Sequence, residues 1–258
     1  HSCRMGICGS CSVIANGRHV LACYTQILDL GSDTITVMPL QNLPTIRDLV
    51  ADLEDFFEKY KPIKPYLIKS KEDLQKETEF PQSPKELNRF WDLTLCIKCS
   101  LCYSACPVLK VDKAFPGPAA LTTLYRFAID SRDGGGKSRL EEITKSGLWW
   151  CARCYLCVEA CPKPVRPGEA ITSLKELAHR SVGVIERGGR HAEAFKQNIE
   201  EFGILNEAKL TMDTVGIVGL LKLLPLGLKM AMKGKAITPF QKPMPHIKEV
   251  RKLYEEVR

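Results

Sequence analysis

Twelve cysteines among 258 residues fall into three tight groups, and none is left over. The groups are Cys3, Cys8, Cys11 and Cys23; Cys96, Cys99, Cys102 and Cys106; and Cys151, Cys154, Cys157 and Cys161. Cys3-x4-Cys8-x2-Cys11, with Cys23 after eleven intervening residues, has the spacing of a plant-type [2Fe–2S] site. A zinc knuckle is the alternative, but zinc sites usually pair two x2 knuckles. Gly6 and Gly9 are expected to let backbone amides approach the sulfurs with no Cβ between. The other groups are C-x2-C-x2-C-x3-C-P runs, in which three thiolates wrap one [4Fe–4S] cube and the fourth ligates the other. The expected sets are therefore Cys96, Cys99, Cys102 and Cys161 for one cube, and Cys106, Cys151, Cys154 and Cys157 for the second. Pro107 and Pro162 fix the exit of the chain after each run.

A cluster with four thiolates has no open iron, so it passes electrons and does no bond chemistry itself. Three in series make a wire between sites too far apart for one hop. Lys98 and Arg153, each just before a second ligand, either raise the cube potentials or are solvated surface cations. Trp149 and Trp150 beside Cys151 either shield a cube from water or line a pocket, shielding being the better reading. Gly136-Lys137-Ser138 ends like a phosphate loop, but Ser131 stands where the leading glycine belongs. There is no G-x-G-x-x-G, hence no nucleotide fold of the chain's own, and the five histidines are scattered.

Repeated two-residue gaps in a chain this long argue against a disulfide framework and for a metal protein of a reducing compartment. The composition is globular, 45% hydrophobic and 26% charged. Thirty-seven basic against 30 acidic residues leave +7, which three sites of about −2 each reduce to roughly +1. No nucleic-acid partner is expected. No uncharged apolar run approaches the eighteen or so residues of a membrane span, because Lys222, Pro225 and Lys229 interrupt residues 214–232, so no crossing is expected. The start at His1, almost on a ligand, is read as a truncated end.

The expected fold class is α+β: a small β-leaning domain, which resemblance to a known family makes a truncated β-grasp ferredoxin domain, then an all-α dicluster domain with a helical extension. Ser12–Ala15 and His19–Leu21 flank Asn16-Gly17, a hairpin signal, and 34–37 supplies another strand. From Pro44 the apolar spacing of Ile46, Leu49, Val50, Leu53, Phe56 and Phe57 predicts a helix, with Thr45 and Asp48 as a capping box. Ser83-Pro84-Lys85-Glu86 predicts a capped helix running into Cys96. Further helices are expected from Pro118, from a cap at Ser138, and over Glu169–Arg180, His191–Phe202 and Ile217–Met232, the last broken by Pro225. Residues 96–107 and 151–162 match at seven of twelve positions. This internal repeat suggests a pseudo-symmetric domain. The expected boundaries are 1–42, 43–182 and 183–258, the last docking on a partner or a membrane surface. Seven basic residues and only Glu249 as an acid lie between Lys229 and Lys252.

At SCRMGICGSC, MPLQNLPTIRDLVADLEDFFEKY, FPGPAALTTLYRFAIDSRD and the two CP-ended runs, the sequence resembles the iron–sulfur subunit of the succinate dehydrogenase/fumarate reductase family over about 1–182. The resemblance implies electron relay between an FAD-containing succinate/fumarate subunit and a membrane-anchor subunit, with quinone reached indirectly. It implies a cytoplasmic protein, peripheral on the inner face of the cell membrane. Many members have a non-cysteine residue where Cys154 stands and bind [3Fe–4S] there; here the thiolate implies a second [4Fe–4S]. Leu109-Lys110-Val111 replaces a tryptophan pair, and Ala152 a histidine, of quinone-reactive members. Residues 190–258 are similar to the small iron–sulfur subunit of heterodisulfide reductases, which implies a heterodisulfide-reductase-like anchor. The alternatives are a thiol/heterodisulfide-linked reductase subunit and a free soluble multicluster ferredoxin.

Overall fold

Asn16 and Gly17 both take positive φ (45° and 78°), the type I′ geometry whose twist suits a two-residue hairpin. They join strand β1 (Ser12–Ala15) to β2 (Arg18–Leu21), with Val13 opposite Val20 and Ile14 opposite His19. Strand β3 (Val37–Met38) pairs antiparallel with β1 on its other edge, giving the order β2-β1-β3. The computed structural model describes residues 1–75, 78–183, 186–235 and 241–257. Within them the chain forms two compact units, 1–182 and 183–258.

The helix expected from Pro44 is absent. Residues 45–51 form a second antiparallel hairpin, β4 (Thr45–Arg47) and β5 (Val50–Ala51), and only Glu54–Glu58 is helical (α1). The apolar periodicity misleads because these side chains share no buried face: Ile46 and Val50 are 69% and 59% exposed, while Phe56 is 1% exposed. Asp48 sits in the turn at φ 50° rather than in a capping box.

Helix α2 (Lys71–Leu74) is followed by α3 (Pro84–Asn88), where Ser83 and Glu86 close the expected capping box. That helix does not reach Cys96; it stops, and α4 (Trp91–Thr94) restarts after Phe90 leaves helical geometry at φ −132°. Next come α5 (Leu101–Ser104), α6 (Pro107–Val111) and α7 (Pro118–Ala128), the last with Pro118 as its first residue. Helix α8 (Gly136–Lys145) starts two residues before Ser138, whose hydroxyl donates to the Gly135 carbonyl at 2.9 Å from inside the helix instead of capping it. Then follow α9 (Leu156–Glu159) and α10 (Pro167–Val182). One core joins strand and helix: Leu21, Leu40 and Leu43 pack in the same cluster as Leu101, Leu121, Leu148 and Ile171.

A buried ion pair pins the segment between α1 and α2. Arg139, 2% exposed, donates to the carbonyls of Ile63, Lys64 and Tyr66 and pairs with Asp133 at 3.2 Å. Asp133 in turn accepts the amides of Ile68 (2.8 Å) and Gly135 (3.0 Å). Arg139→Met therefore strands a buried carboxylate and three carbonyls. A loss of about 3–5 kcal/mol in denaturant midpoint analysis is expected; a change under about 1 kcal/mol would show the clip to be dispensable.

In the second unit α11 (Arg187–Phe202) receives α12 (Glu207–Met232) and α13 (Ile247–Val257). Asn206 caps α12 through the Lys209 amide. Arg251 donates to the carbonyls of Glu200 and Glu201, tying α13 to the end of α11. Pro225 does not break α12 as expected; the helix runs through it. The interruption falls at Gly216, whose φ of 70° and ψ of 179° only glycine adopts readily. By length and composition alone α12 qualifies as a membrane span, with a mean hydropathy of 1.7 over its best window, contrary to expectation. The lysines did not lower that average enough, because leucine surrounds them.

Candidate metal centres

The three cysteine groups occupy three neighbouring loops. In the first, Cys3 Sγ accepts the amides of Met5 (3.5 Å), Ile7 (3.4 Å) and Cys8 (3.3 Å), and Cys23 Sγ accepts the Gly6 amide at 3.3 Å. Donors aimed at sulfur favour thiolate, and the Cys3 thiol is pulled below its usual value by them. Cys8 is drawn down to about 6, chiefly by the Ser10 hydroxyl. Cys23 is pushed up, first by its hydrogen bond with Cys11.

The two later loops repeat one backbone. Lys98 and Arg153 take φ of 53° and 54°, and Ser100 and Tyr155 take 63° and 62°, each pair at equivalent positions of the repeat. These left-handed residues curl each loop so that one short helix, α5 or α9, begins just after the second cysteine. Cys161, from the second run, lines one pocket with Cys96, Cys99 and Cys102 of the first. Conversely Cys106 feels the charges of Cys154 and Cys151. Burial pushes these thiols up, Cys99 to about 11 and Cys157 to about 12. Among the described residues, no three His, Cys, Asp or Glu side chains converge closely enough for a single ion. Cys96, Cys99, Cys102 and Cys161 surround a space rather than a point.

The loops abut. A Cβ at Gly9 would lie 2.8 Å from both Cα and Cβ of Cys99, and Gly9 has φ 75°. The glycine expected to admit an amide to sulfur instead brings the first loop against the second; Gly6 does the former. Cys102 senses Cys157 as well as Cys96, Cys99 and Cys161, so the second and third groups are also neighbours.

Sequence reading missed two residues. The Asn42 amide reaches the carbonyls of Tyr103, Ser104 and Cys106 at 2.9–3.0 Å, closing the end of α5. Lys175, 5% exposed, donates to the Cys151 carbonyl at 3.0 Å and lies 5.7 Å from the centre of the Trp149 ring. Neither carries a local motif; each acts across more than twenty residues. Trp149 packs on the core whereas Trp150 is 46% exposed, so only the former shields. Lys98 and Arg153 are both exposed, and Lys98 lies over Tyr60 at 5.4 Å.

The 2Fe-2S iron-sulfur cluster binding domain family matches residues 1–58, and the 4Fe-4S dicluster domain family matches 92–165. A fumarate reductase iron-sulfur subunit of Mycobacterium tuberculosis is 43% identical over 178 residues, covering 69% of this chain and 72% of that protein. The chain belongs to the iron–sulfur subunits of the succinate dehydrogenase/fumarate reductase family. It is thus an electron-transfer subunit of an oxidoreductase complex, with [2Fe–2S] and [4Fe–4S] domains. The 8-methylmenaquinol:fumarate reductase iron-sulfur subunit of Wolinella succinogenes is 35% identical, covering 84% of this chain and 70% of that protein. That share exceeds the first unit, so the match reaches into the second. Among solved structures, a chain of the Mycobacterium smegmatis Sdh1 complex in the apo form aligns with TM-score 0.64 and 29% identity, over 70% of this chain and 76% of its own.

Lys175 is a buried amine against the Cys151 loop, its pKa lowered chiefly by burial. Lys175→Met is expected to lower the potential of the cluster beside Cys151 by on the order of 60 mV, equivalent to about 1.4 kcal/mol for one electron. A redox titration followed by paramagnetic resonance reads this directly, and an unshifted midpoint would limit Lys175 to packing.

Proposed function

We propose that this subunit relays single electrons between an FAD-bearing succinate/fumarate subunit and a membrane-anchor subunit with quinone beyond it. The observation that supports this best is the contact series: Gly9 against Cys99, then Cys102 beside Cys157. Cys3, Cys8, Cys11 and Cys23 hold a [2Fe–2S] cluster. Cys96, Cys99, Cys102 and Cys161 hold one [4Fe–4S] cluster, and Cys106, Cys151, Cys154 and Cys157 a second. When bound, the clusters supply the one-electron redox chemistry. The chain's own part is to space them, to aim amides at the first four sulfurs, and to keep water from the buried thiols. Neighbouring thiolates of one sign need the cluster iron to be stable together, which fits metal loading rather than free thiols.

The complex is peripheral on the inner face of the cell membrane in this reading. The resemblance of 190–258 to heterodisulfide-reductase subunits supports an anchor of that type, while the Wolinella relative supports a menaquinol-type donor. Cys154→Ser tests the third cluster: iron content falls by about one atom per chain, with an oxidised-state three-iron resonance. Unchanged iron and spectrum would exclude Cys154 as a ligand. The function itself is tested by isolating the complex anaerobically from its native cells. Succinate-dependent dye reduction and fumarate-dependent dye oxidation with a co-purifying flavoprotein are expected. A three-cluster complex inert to both acids but active on a disulfide would overturn the proposal.

A further inference from the structure

The two halves of α12 have different surroundings. Glu207–Val215 packs on α11: Thr214 is buried and 3.3 Å from His191 Nδ1, and Lys209 pairs with Glu201 at 3.3 Å. After Gly216 the packing stops. Nine large apolar side chains between Ile217 and Met232 are exposed, among them Leu221 (60%), Leu224 (51%) and Leu228 (61%). The inner angle of the kink forms an apolar groove of about 800 Å³, lined by Phe202, Met212, Ile217, Leu221 and Leu224 among others. By contrast α13 packs along α11.

Charge is ordered on this segment. On an ideal helix Lys222, Lys229 and Lys233 fall within about 40° of one another, and leucines and methionines fill most of the remaining circumference. From Thr214 to Lys248 there are six lysines and no Asp or Glu. A helix apolar around most of its girth needs more than a groove on one side, and acyl chains can cover every side of it except the lysine stripe. A narrow lysine stripe then faces the headgroups. Although the whole of α12 has the length of a span, the straight part after the kink has sixteen residues and reaches about 24 Å, short of a hydrocarbon core of about 30 Å, which favours lying in the surface over crossing.

We propose that Ile217–Met232 lies in the interfacial plane of an anionic bilayer, its leucines among the upper acyl carbons and its lysines on the headgroups. The subunit then touches lipid directly, independently of any anchor protein and of where the electrons go.

The test is sedimentation of the full cluster-loaded chain with vesicles, anaerobically, scoring the bound fraction against lipid concentration. Vesicles of phosphatidylcholine with phosphatidylglycerol should bind it, vesicles of phosphatidylcholine alone much less, and added salt should release it. Lys222→Gln/Lys229→Gln/Lys233→Gln should weaken binding about a hundredfold. Leu224→Asp/Leu228→Asp should abolish it. Both variants change exposed residues, and unaltered cluster absorbance verifies their fold. Equal binding to both lipids, no effect of either variant, or binding only when an anchor protein is reconstituted in the vesicles would each overturn the proposal. Because the assay uses no electron donor, failure of the relay reading would leave its outcome unaffected.

Discussion

Cys161→Ser is expected to remove the cluster of the first CP run and spare that of the second, although Cys161 belongs to the second run in sequence. Cys161 lines the pocket of Cys96, Cys99 and Cys102, and its thiol is raised first by burial and then by Cys96. The variant should fall from about ten irons per chain to about six, losing one [4Fe–4S] signal. The Cys106→Ser variant should lose the other. A ligand set drawn wholly from one run predicts the opposite pairing of variant and lost signal, so paramagnetic resonance of the two purified variants decides between them. Electron passage through the complex should stop in both.

The second large effect is at Gly9. Valine there meets Cys99 backbone at 2.8 Å, and no flexible side chain can yield. Its φ of 75° adds strain for any residue with a Cβ. Overpacking of about 1–3 kcal/mol is expected in stability, with the first loop pushed off the second. Displacements of this order at a transfer site cost up to about a hundredfold in rate. Rapid-freeze reduction from the flavin side should therefore show the [2Fe–2S] signal appearing normally while the cubes lag. Normal cube reduction in Gly9→Val would mean that the contact is packing only. Gly6→Ala, crowding only the Tyr24 ring at 3.2 Å, is the milder comparison.

What could be read from the sequence was local. The Asn16–Gly17 turn, the Ser83 capping box and the Pro118 start all rest on contacts within four residues, and each forms as expected. The stretch after Pro44 failed because spacing alone cannot say whether an apolar face has anything to cover; here Ile46 and Val50 face solvent on a hairpin. Pro225 failed for a related reason. An exposed helix tolerates a missing hydrogen bond, and the chain bends at Gly216, where the backbone is freer. The cysteine groups were plain, and the crossing expected of their last members agrees with Cys161 lining a pocket with Cys96, Cys99 and Cys102. Asn42 and Lys175 were invisible because a side chain reaching 61–64 or 24 residues along the chain leaves no pattern around itself.

The placement of Cys161 among the first run's thiols bears on how the protein is made. Synthesis proceeds from the amino end, so Cys96, Cys99 and Cys102 leave the ribosome well before the sulfur that completes their pocket. Throughout that interval the nascent chain offers an open three-sulfur cradle, attractive to stray copper or zinc and vulnerable to oxygen. With the proposed ligand sets, iron delivery to either cube waits until both loops have folded back on each other. Chains cut between the two runs should then carry the [2Fe–2S] cluster alone, with both cubes maturing late.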